Sequence, residues 1–337
     1  MKKPITIKDI AEKLNISVAT VSRAMRNSSE IKKETKLAVL QMAKEMDYHP
    51  NLLASSLSSK RSNIIGVVVP TINRYFWSNS IAGIENIAYE KGYKVMIFQS
   101  GESFEKEVSI VETLANSRVD GIIIAFSKET QSFDHIQHIL DREIPIVLFE
   151  RTCDSIQTSM IKTDDIKGAM EMVNHLIERG KKHIAYMGGP LALGVCRDRY
   201  EGFRIAHEQT KTTLHKNLVM ELDDFSYELA GKALESLWKQ DPKPDAVFCF
   251  ADILAIGALH TAQKLGIKVP EELAIAGFGN DITGRFITPS ITTMSQPSFE
   301  MGEMAAGIIL DAVESDDDIV KVTEKLIVPK LIVREST

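Results

Sequence analysis

Asn15-Ile-Ser-Val-Ala-Thr-Val-Ser-Arg23 is the stretch on which the reading of this chain turns. Upstream of it Ile5, Ile7, Ile10, Ala11 and Leu14 fall at helix-compatible spacing; Asn15 and Ser17 interrupt, and Ala19, Val21 and Ala24 resume the pattern with Met25 beside them. The pattern predicts two short helices joined by a tight turn. Ser17 stands where its hydroxyl can cap the second helix, which sets Val18, Ala19, Ser22 and Arg23 on or near an outer face. A third, amphipathic helix is expected from Lys32 to Glu45, with Leu37, Leu40, Met42 and Met46 buried. Spacing alone fits a stable miniature bundle as well as a helix-turn-helix.

Charge separates the two readings. Residues 1–61 hold twelve lysines and arginines against six acids, a net of +6, so that with the whole chain at −6 the remainder carries −12. A basic head suits a phosphate-binding module, because neutralising phosphates and releasing their counterions gives sequence-independent affinity for DNA. The acidic remainder repels DNA.

The length of 337 residues accommodates two or three domains, and 44% apolar with 26% charged residues is ordinary soluble globular composition. No apolar run approaches the roughly 20 residues of a membrane helix, and a charged helix-forming region stands where a signal peptide would, so a cytoplasmic protein without membrane contact is expected. Cys153, Cys196 and Cys249 are widely spaced, without the pairing of a disulfide or zinc framework, and are read as buried or incidental thiols.

From Asn63 onward, apolar runs at Ile64–Val69, Val95–Phe98, Gly121–Phe126 and Ile144–Phe149 alternate with helical patterns. A second series follows at Ile184–Met187, Leu218–Leu222, Ala246–Phe250 and Leu273–Gly277. Apolar strands alternating with amphipathic helices argue parallel sheets covered on both faces, here in two lobes of similar build. A ligand is expected in the crevice at the carboxyl ends of the strands.

The chain resembles the LacI/GalR family of bacterial transcription regulators. The resemblance is carried by Ile7-Lys-Asp-Ile-Ala11, Ser17-Val-Ala-Thr-Val-Ser-Arg23, Thr35, the Asp47-Tyr-His-Pro-Asn51 turn, Leu57 and Ile65-Gly-Val-Val-Val-Pro70, and it continues to the C-terminal region. It implies a three-helix helix-turn-helix head over residues 1–48, a hinge segment over 49–61, and a two-lobed α/β core of the type I periplasmic-binding-protein kind over 62–337. In the family's crossover topology lobe one takes about 62–161 and 293–322, and lobe two about 162–292 and 323–337. Ile291–Met294 and the helix Phe299–Val313 would then return to the first lobe, with Lys325–Val333 ending in the second.

The resemblance implies DNA contacts residue by residue. Arg23 has a planar fork suited to guanine, and the correspondence favours base contact over a phosphate clamp or a helix-end charge. Val18 and Ala19 occupy the positions that set operator choice, and being apolar they read thymine methyls or shape. Ser17, Thr20, Ser22, Arg26 and Asn27 are phosphate candidates, with Ile7 and Asn51 beside them; Arg26 departs from the family's usual asparagine. Leu57 matches the leucine that wedges into the minor groove and bends the duplex, while Ser55 replaces a common arginine. A pseudo-palindromic operator in double-stranded DNA, bound by a homodimer, is expected, with dimer contacts around Tyr75–Glu85 and Glu102–Leu114.

For the effector, Arg199 in Asp198-Arg199-Tyr200-Glu201-Gly202-Phe203 matches the family's ligand-holding arginine; considered alone it reads as an inter-helix salt bridge. Phe225, Tyr75 and Phe76 match pocket aromatics, Glu150 sits at a strand end, and Asp252 and Asn280 complete the candidate set. Gly279 stands where sugar-responsive relatives carry an aspartate, and Ala251, Leu193 and Val195 replace polar pocket residues. An effector less rich in hydroxyls than a free sugar is expected, or control by a protein corepressor.

Enzyme signatures fail. Gly188-Gly-Pro190 lacks a dinucleotide or phosphate-loop context, His207-Glu208 lacks a second histidine because Lys211 is there, and Asp316-Asp-Asp318 reads as a solvated loop. The expectation is an effector-controlled repressor that is not an enzyme and needs no cofactor or metal. Its rival is a small-molecule binding protein or enzyme on the same α/β scaffold with a helical assembly domain, and the basic head with Arg23 argues against it.

Overall fold

The computed structural model describes residues 5–25, 28–48, 61–315 and 322–337, divided into a unit ending at Ser62 and a unit beginning at Asn63. Arg26, Asn27, Asn51, Leu57 and the Asp316–Asp318 run lie outside the described residues.

The first unit is built from α1 (Ile7–Leu14), α2 (Val18–Met25) and α3 (Lys33–Glu45). Thr6 and Asp9 form a capping box on α1, with the Thr6 amide donating to Asp9 Oδ2 at 2.7 Å, and Asn15 ends the helix in the left-handed region at φ 50°. The expected cap on α2 is present, the Thr20 amide donating to Ser17 Oγ at 3.0 Å. Ile10, Ala11, Val21, Ala24, Val39 and Ala43 make the core of this unit. Leu37 and Leu40, expected inside, are 59% and 49% exposed, while Met42 and Met46 pack partly against the core. At about 100° per residue, Leu40 and Leu37 lie roughly 100° and 160° around the helix from Val39, so the inner stripe runs through Val39, Ala43 and Met46 instead.

The second unit alternates strand and helix. Its first half contains β1 (Ile64–Val69), α4 (Tyr75–Glu90), β2 (Lys94–Gln99), α5 (Phe104–Asn116), β3 (Gly121–Ile124), α6 (Asp134–Leu140), β4 (Ile146–Phe149) and β5 (Ser159–Thr163). Next come α7 (Asp165–Glu178), β6 (Ile184–Gly188), α8 (Gly194–Thr210), β7 (Val219–Glu221), α9 (Tyr227–Leu237), β8 (Ala246–Cys249), α10 (Asp252–Lys264), β9 (Ala274–Phe278), α11 (Thr283–Phe286) and β10 (Thr292–Ser295). The chain ends with α12 (Ser298–Glu314), β11 (Glu324–Ile327) and β12 (Lys330–Ile332). One sheet has the order β11-β5-β4-β3-β1-β2 and the other β12-β10-β9-β8-β6-β7. All pairs are parallel except β10 with β12.

Both faces of each sheet are buried, which is why the strands read as continuous apolar runs. In β1, Val67 and Val69 pack with Trp77 and Ile84 on one face, while Val68 packs with Val111 and Leu114 on the other. Helices α4 and α12 pack together on the first sheet, and two glycines permit their approach. A Cβ on Gly83 would lie 2.0 Å from the Phe299 carbonyl oxygen, and one on Gly302 would lie 2.1 Å from that of Ser80.

The lobe crossings differ from the expected ones. Thr292–Ser295 is a strand of the second sheet, hydrogen-bonded along β9, so the return to the first lobe begins with α12. Glu324–Ile327 pairs with β5 in the first sheet, and the chain crosses at Val328-Pro329 before β12 joins the second. Glu324, Lys325 and Leu326 are exposed on this edge strand, so no buried run separates it from β12 in the sequence. The sequence reading also missed β5, whose Ser-Met-Ile-Lys-Thr pattern looks polar although four of its five residues are buried.

Candidate functional site

On the head, α2 presents the residues singled out from the sequence. Val18 is 40% exposed, Ala19 is exposed, and Ser17 Oγ lies 2.8 Å from Thr20 Oγ1 beside the cap. Arg23 projects outward with its Nε 3.5 Å from Glu30 Oε2, both side chains more than half exposed. Ser22 is half-buried, and Ile7 packs against the core of the unit. The exposed face of α2 therefore carries one guanidinium, hydroxyls and small apolar groups, a set able to meet phosphates and base edges.

In the second unit a cavity of about 310 Å³ opens between the two sheets, at the carboxyl ends of their strands. Pro70 follows β1, Glu150 follows β4, Phe250 follows β8 and Gly279 follows β9, and all four line it. Tyr75, Phe76, Glu150, Arg199, Phe225 and Asp252 border this space; Asn280 does not. At φ 55° Asn280 turns its side chain away, donating from Nδ2 to Ser295 Oγ at 3.1 Å and accepting from Arg334 Nη2 at 2.5 Å.

Arg199 is 4% exposed and held on several sides. Its Nε donates to Asp165 Oδ1 and its Nη1 to the Phe250 carbonyl, each at 2.7 Å, while Nη2 is 3.6 Å from Glu150 Oε1. The guanidinium stacks 3.7 Å from the Phe278 ring centroid and 4.4 Å from that of Phe250. The salt bridge and the cavity wall are thus one structure. Glu150, in the left-handed region at φ 60°, accepts from the Thr163 amide and hydroxyl at 3.2 and 2.9 Å and from Gln296 Nε2 at 2.5 Å. Asp252 accepts from Thr293 Oγ1 at 2.7 Å and from the Asp281 amide at 2.6 Å.

Burial shifts these acids upward. Asp252 is pushed up to about 6, desolvation outweighing its two hydrogen bonds. The Asp165 carboxyl is likewise raised, because desolvation exceeds the attraction of Arg199. Cys196 and Cys249 are buried and their thiols raised, which leaves them without thiolate character. Cys153 is half-buried.

Several residues of the cleft escaped the sequence reading. Arg151 grips Glu102 in a bidentate pair at 2.7 and 3.0 Å. Arg74 reaches across the cleft, its Nη2 donating to the Phe225 carbonyl at 2.6 Å. Lys128 also crosses, with Nζ 3.1 Å from the Asp223 carbonyl and 3.9 Å from Asp224 Oδ1. Gln296 lies in the crossing segment between β10 and α12. The one signal that pointed at such positions was proximity to strand ends, which Arg151 and Gln296 share.

No helix among the described residues is long and apolar enough to cross a membrane, and no group of three or more His, Cys, Asp or Glu there is placed to hold a metal ion. Residues 6–51 match the model of bacterial regulatory proteins of the lacI family, and residues 173–337 match that of the periplasmic binding protein-like domain. The chain is 32% identical to the ribose operon repressor of Halalkalibacterium halodurans, with 98% of this chain and 97% of that one covered. It is 31% identical to the HTH-type transcriptional repressor PurR of Proteus mirabilis, with 98% and 96% covered. Among solved structures, the lac repressor dimer bound to operator and the anti-inducer ONPF superposes with a TM-score of 0.87 at 22% identity, covering 99% of each chain.

Proposed function

The chain belongs to the LacI family of bacterial regulatory proteins, and we propose that it represses transcription as a homodimer on a pseudo-palindromic operator, under the control of a small molecule held in the cleft. It is a DNA-binding regulator with an effector-binding core, not an enzyme. The observation that carries the proposal is the cleft: a cavity between two sheets whose polar wall joins residues of both lobes through Arg199, Glu150 and Gln296. That cavity favours a small molecule over a protein corepressor as the source of control.

In this reading Arg23 reads a guanine, Val18 and Ala19 read thymine methyls or groove shape, and Ser17, Thr20, Ser22, Arg26, Asn27 and Asn51 position the head on phosphates. Leu57 wedges the minor groove at the centre of the site. The ligand is held by Arg199, Glu150 and Asp252 between the rings of Tyr75, Phe76 and Phe225, and its binding changes the relative rotation of the lobes. A second copy is expected against the first lobe, around Tyr75–Glu85 and Glu102–Leu114, with the edge strand β2 leaving Met96 37% and Ile97 47% exposed in the same lobe. Such a protein works in the cytoplasm, where its operator lies.

Sedimentation of the chain with and without a palindromic duplex tests the assembly. One duplex per two chains is expected, and one duplex per single chain at saturating protein contradicts it.

A further inference from the structure

The deep wall of the cleft carries more negative charge than it balances. Arg151 and Glu102 cancel as a bidentate pair. What remains in the buried wall is Arg199 with three carboxyls, Asp165, Glu150 and Asp252, all four between 3% and 6% exposed, while Arg74 also lines the cavity with its Nη2 on the Phe225 carbonyl. Arg199 gives its short contact to Asp165 and lies 3.6 Å from Glu150. Asp252 has neutral hydrogen-bond partners, the Thr293 hydroxyl and the Asp281 amide. Arg334 acts on Asp252 through its charge while giving its hydrogen bonds to Asn280 and to the Ile291 carbonyl.

The excess is directed at a definite space. Gly279 has φ +123°, and a Cβ built on it would lie 3.9 Å from Gln296 Oε1 and 4.0 Å from Asp252 Oδ2. Gln296 turns its Nε2 to Glu150, which is what leaves its Oε1 toward Gly279. The volume left by the missing side chain is therefore bordered by acceptors, one of them a carboxylate, with a second carboxylate behind the amide. Phe225 and Phe76 border the same cavity, and aromatic faces also attract cations.

On the reading that this cleft is the effector site, we propose that the effector is a ring compound bearing a protonated amine or amidine, and that its cationic group occupies the space beside Gly279 against Asp252 and Gln296. An amine in that place adds donors to Asp252 Oδ2 and Gln296 Oε1 and sets a cation against the Asp252 carboxylate. Sugar phosphates, sugar acids and other anions are disfavoured in this place, since they would set a like charge against the Asp252 carboxylate.

The test is calorimetry on the full chain with two matched sets: glucosamine, glucose and glucose 6-phosphate; benzylamine, benzyl alcohol and benzoate. In at least one set the amine is expected to bind about tenfold or more tighter than its neutral partner, with the anion weakest. Asp252→Asn should shrink that preference to about threefold or less. Glu150→Gln serves as the second variant should the first not fold. Equal or tighter binding of a neutral or anionic member in both sets, an amine preference unchanged in the folded variants, or no binding of either amine overturns the proposal. Each bound compound is then added to an operator titration. A neutral sugar that binds and shifts operator affinity sinks the amine proposal and leaves the effector reading standing. An amine that binds without shifting operator affinity supports the proposed subsite and removes the effector reading.

Discussion

Arg23 lies 3.5 Å from Glu30 with both side chains in solvent, and an exposed pair of this kind contributes at most about 1 kcal/mol. DNA can therefore take the guanidinium without a large penalty. Arg23→Ala is expected to remove about 1–3 kcal/mol of discrimination at one half-site position. Competition titrations with singly substituted operators measure it, and a loss that is equal for every sequence would assign Arg23 to a phosphate. In the core, the raised Asp252 carboxyl makes stability depend on pH. A group whose folded value, about 6, exceeds its ordinary 3.8 binds its proton more tightly in the folded state. Its contribution is complete below the lower value and is lost as pH rises through the higher one, so the core should lose on the order of a few kcal/mol between about pH 4 and pH 7 from this group. Asp281, Arg334 and Thr293 face the same carboxyl and stay unchanged in Asp252→Asn, which should reduce the slope of melting temperature against pH over that window, the raised Asp165 carboxyl carrying what remains. A slope as steep in the variant would place the effect elsewhere. Glu150 was legible at the cleft because it ends a strand, whereas Arg199 and Asp252 were placed there by the family resemblance and not by spacing, which alone read Arg199 as an inter-helix salt bridge. Arg151 with Glu102, and Gln296 with Glu150, were not legible, since each owes its place to a partner 49 or 146 residues away. Asn280 adjoins Gly279 in sequence yet leaves the cleft, because its left-handed backbone points the amide at Arg334.

Among elements, the contact of α4 with α12 makes a sharp distinction between two glycines. A Cβ at Gly83 meets a backbone carbonyl that cannot swing aside, whereas Gly307 in the same α12 has nothing within 4 Å of its Cβ position. Gly83→Ala should lower core stability by about 1–3 kcal/mol. Gly307→Ala should be neutral or stabilise by up to about 1 kcal/mol through helix propensity. Thermal unfolding of both variants checks the pair, and equal effects would contradict the packing described. On the head, Ser17→Ala removes the α2 cap and should cost about 1 kcal/mol; hydrogen exchange at the Thr20 amide reports it, and unchanged protection would mean the cap is dispensable. The alternation of buried strand and amphipathic helix was plain in the sequence, since both faces of each parallel sheet are covered. Where that physics lapses the reading lapsed with it. The exposed edge strand β11 and the polar-looking β5 lack the apolar run, and the two leucines of α3 broke the rule that apolar means inside.

For the whole molecule, Arg74 and Lys128 tie one lobe to the other by reaching backbone carbonyls at Phe225 and Asp223. A charged hydrogen bond of this kind contributes about 1.5–3 kcal/mol. Two of them are therefore comparable with the roughly 5.5 kcal/mol that separates a 1:99 from a 99:1 population. Replacing both with alanine should open the ligand-free core, raising its radius of gyration in solution scattering; an unchanged value would mean that other contacts hold the lobes. The central claim joins head and cleft: a ligand between the lobes alters how tightly α2 holds its operator. The most direct measurement is a fluorescence-anisotropy titration of the full chain against a selected palindromic operator and a scrambled duplex, at two salt concentrations, with and without a compound shown by calorimetry to bind the cleft. The account predicts tight, salt-dependent preference for the palindrome, shifted by the compound in the chain as it stands but not in Arg199→Ala. Equal weak binding to both duplexes with and without the compound, or a shift that persists in Arg199→Ala, would contradict it.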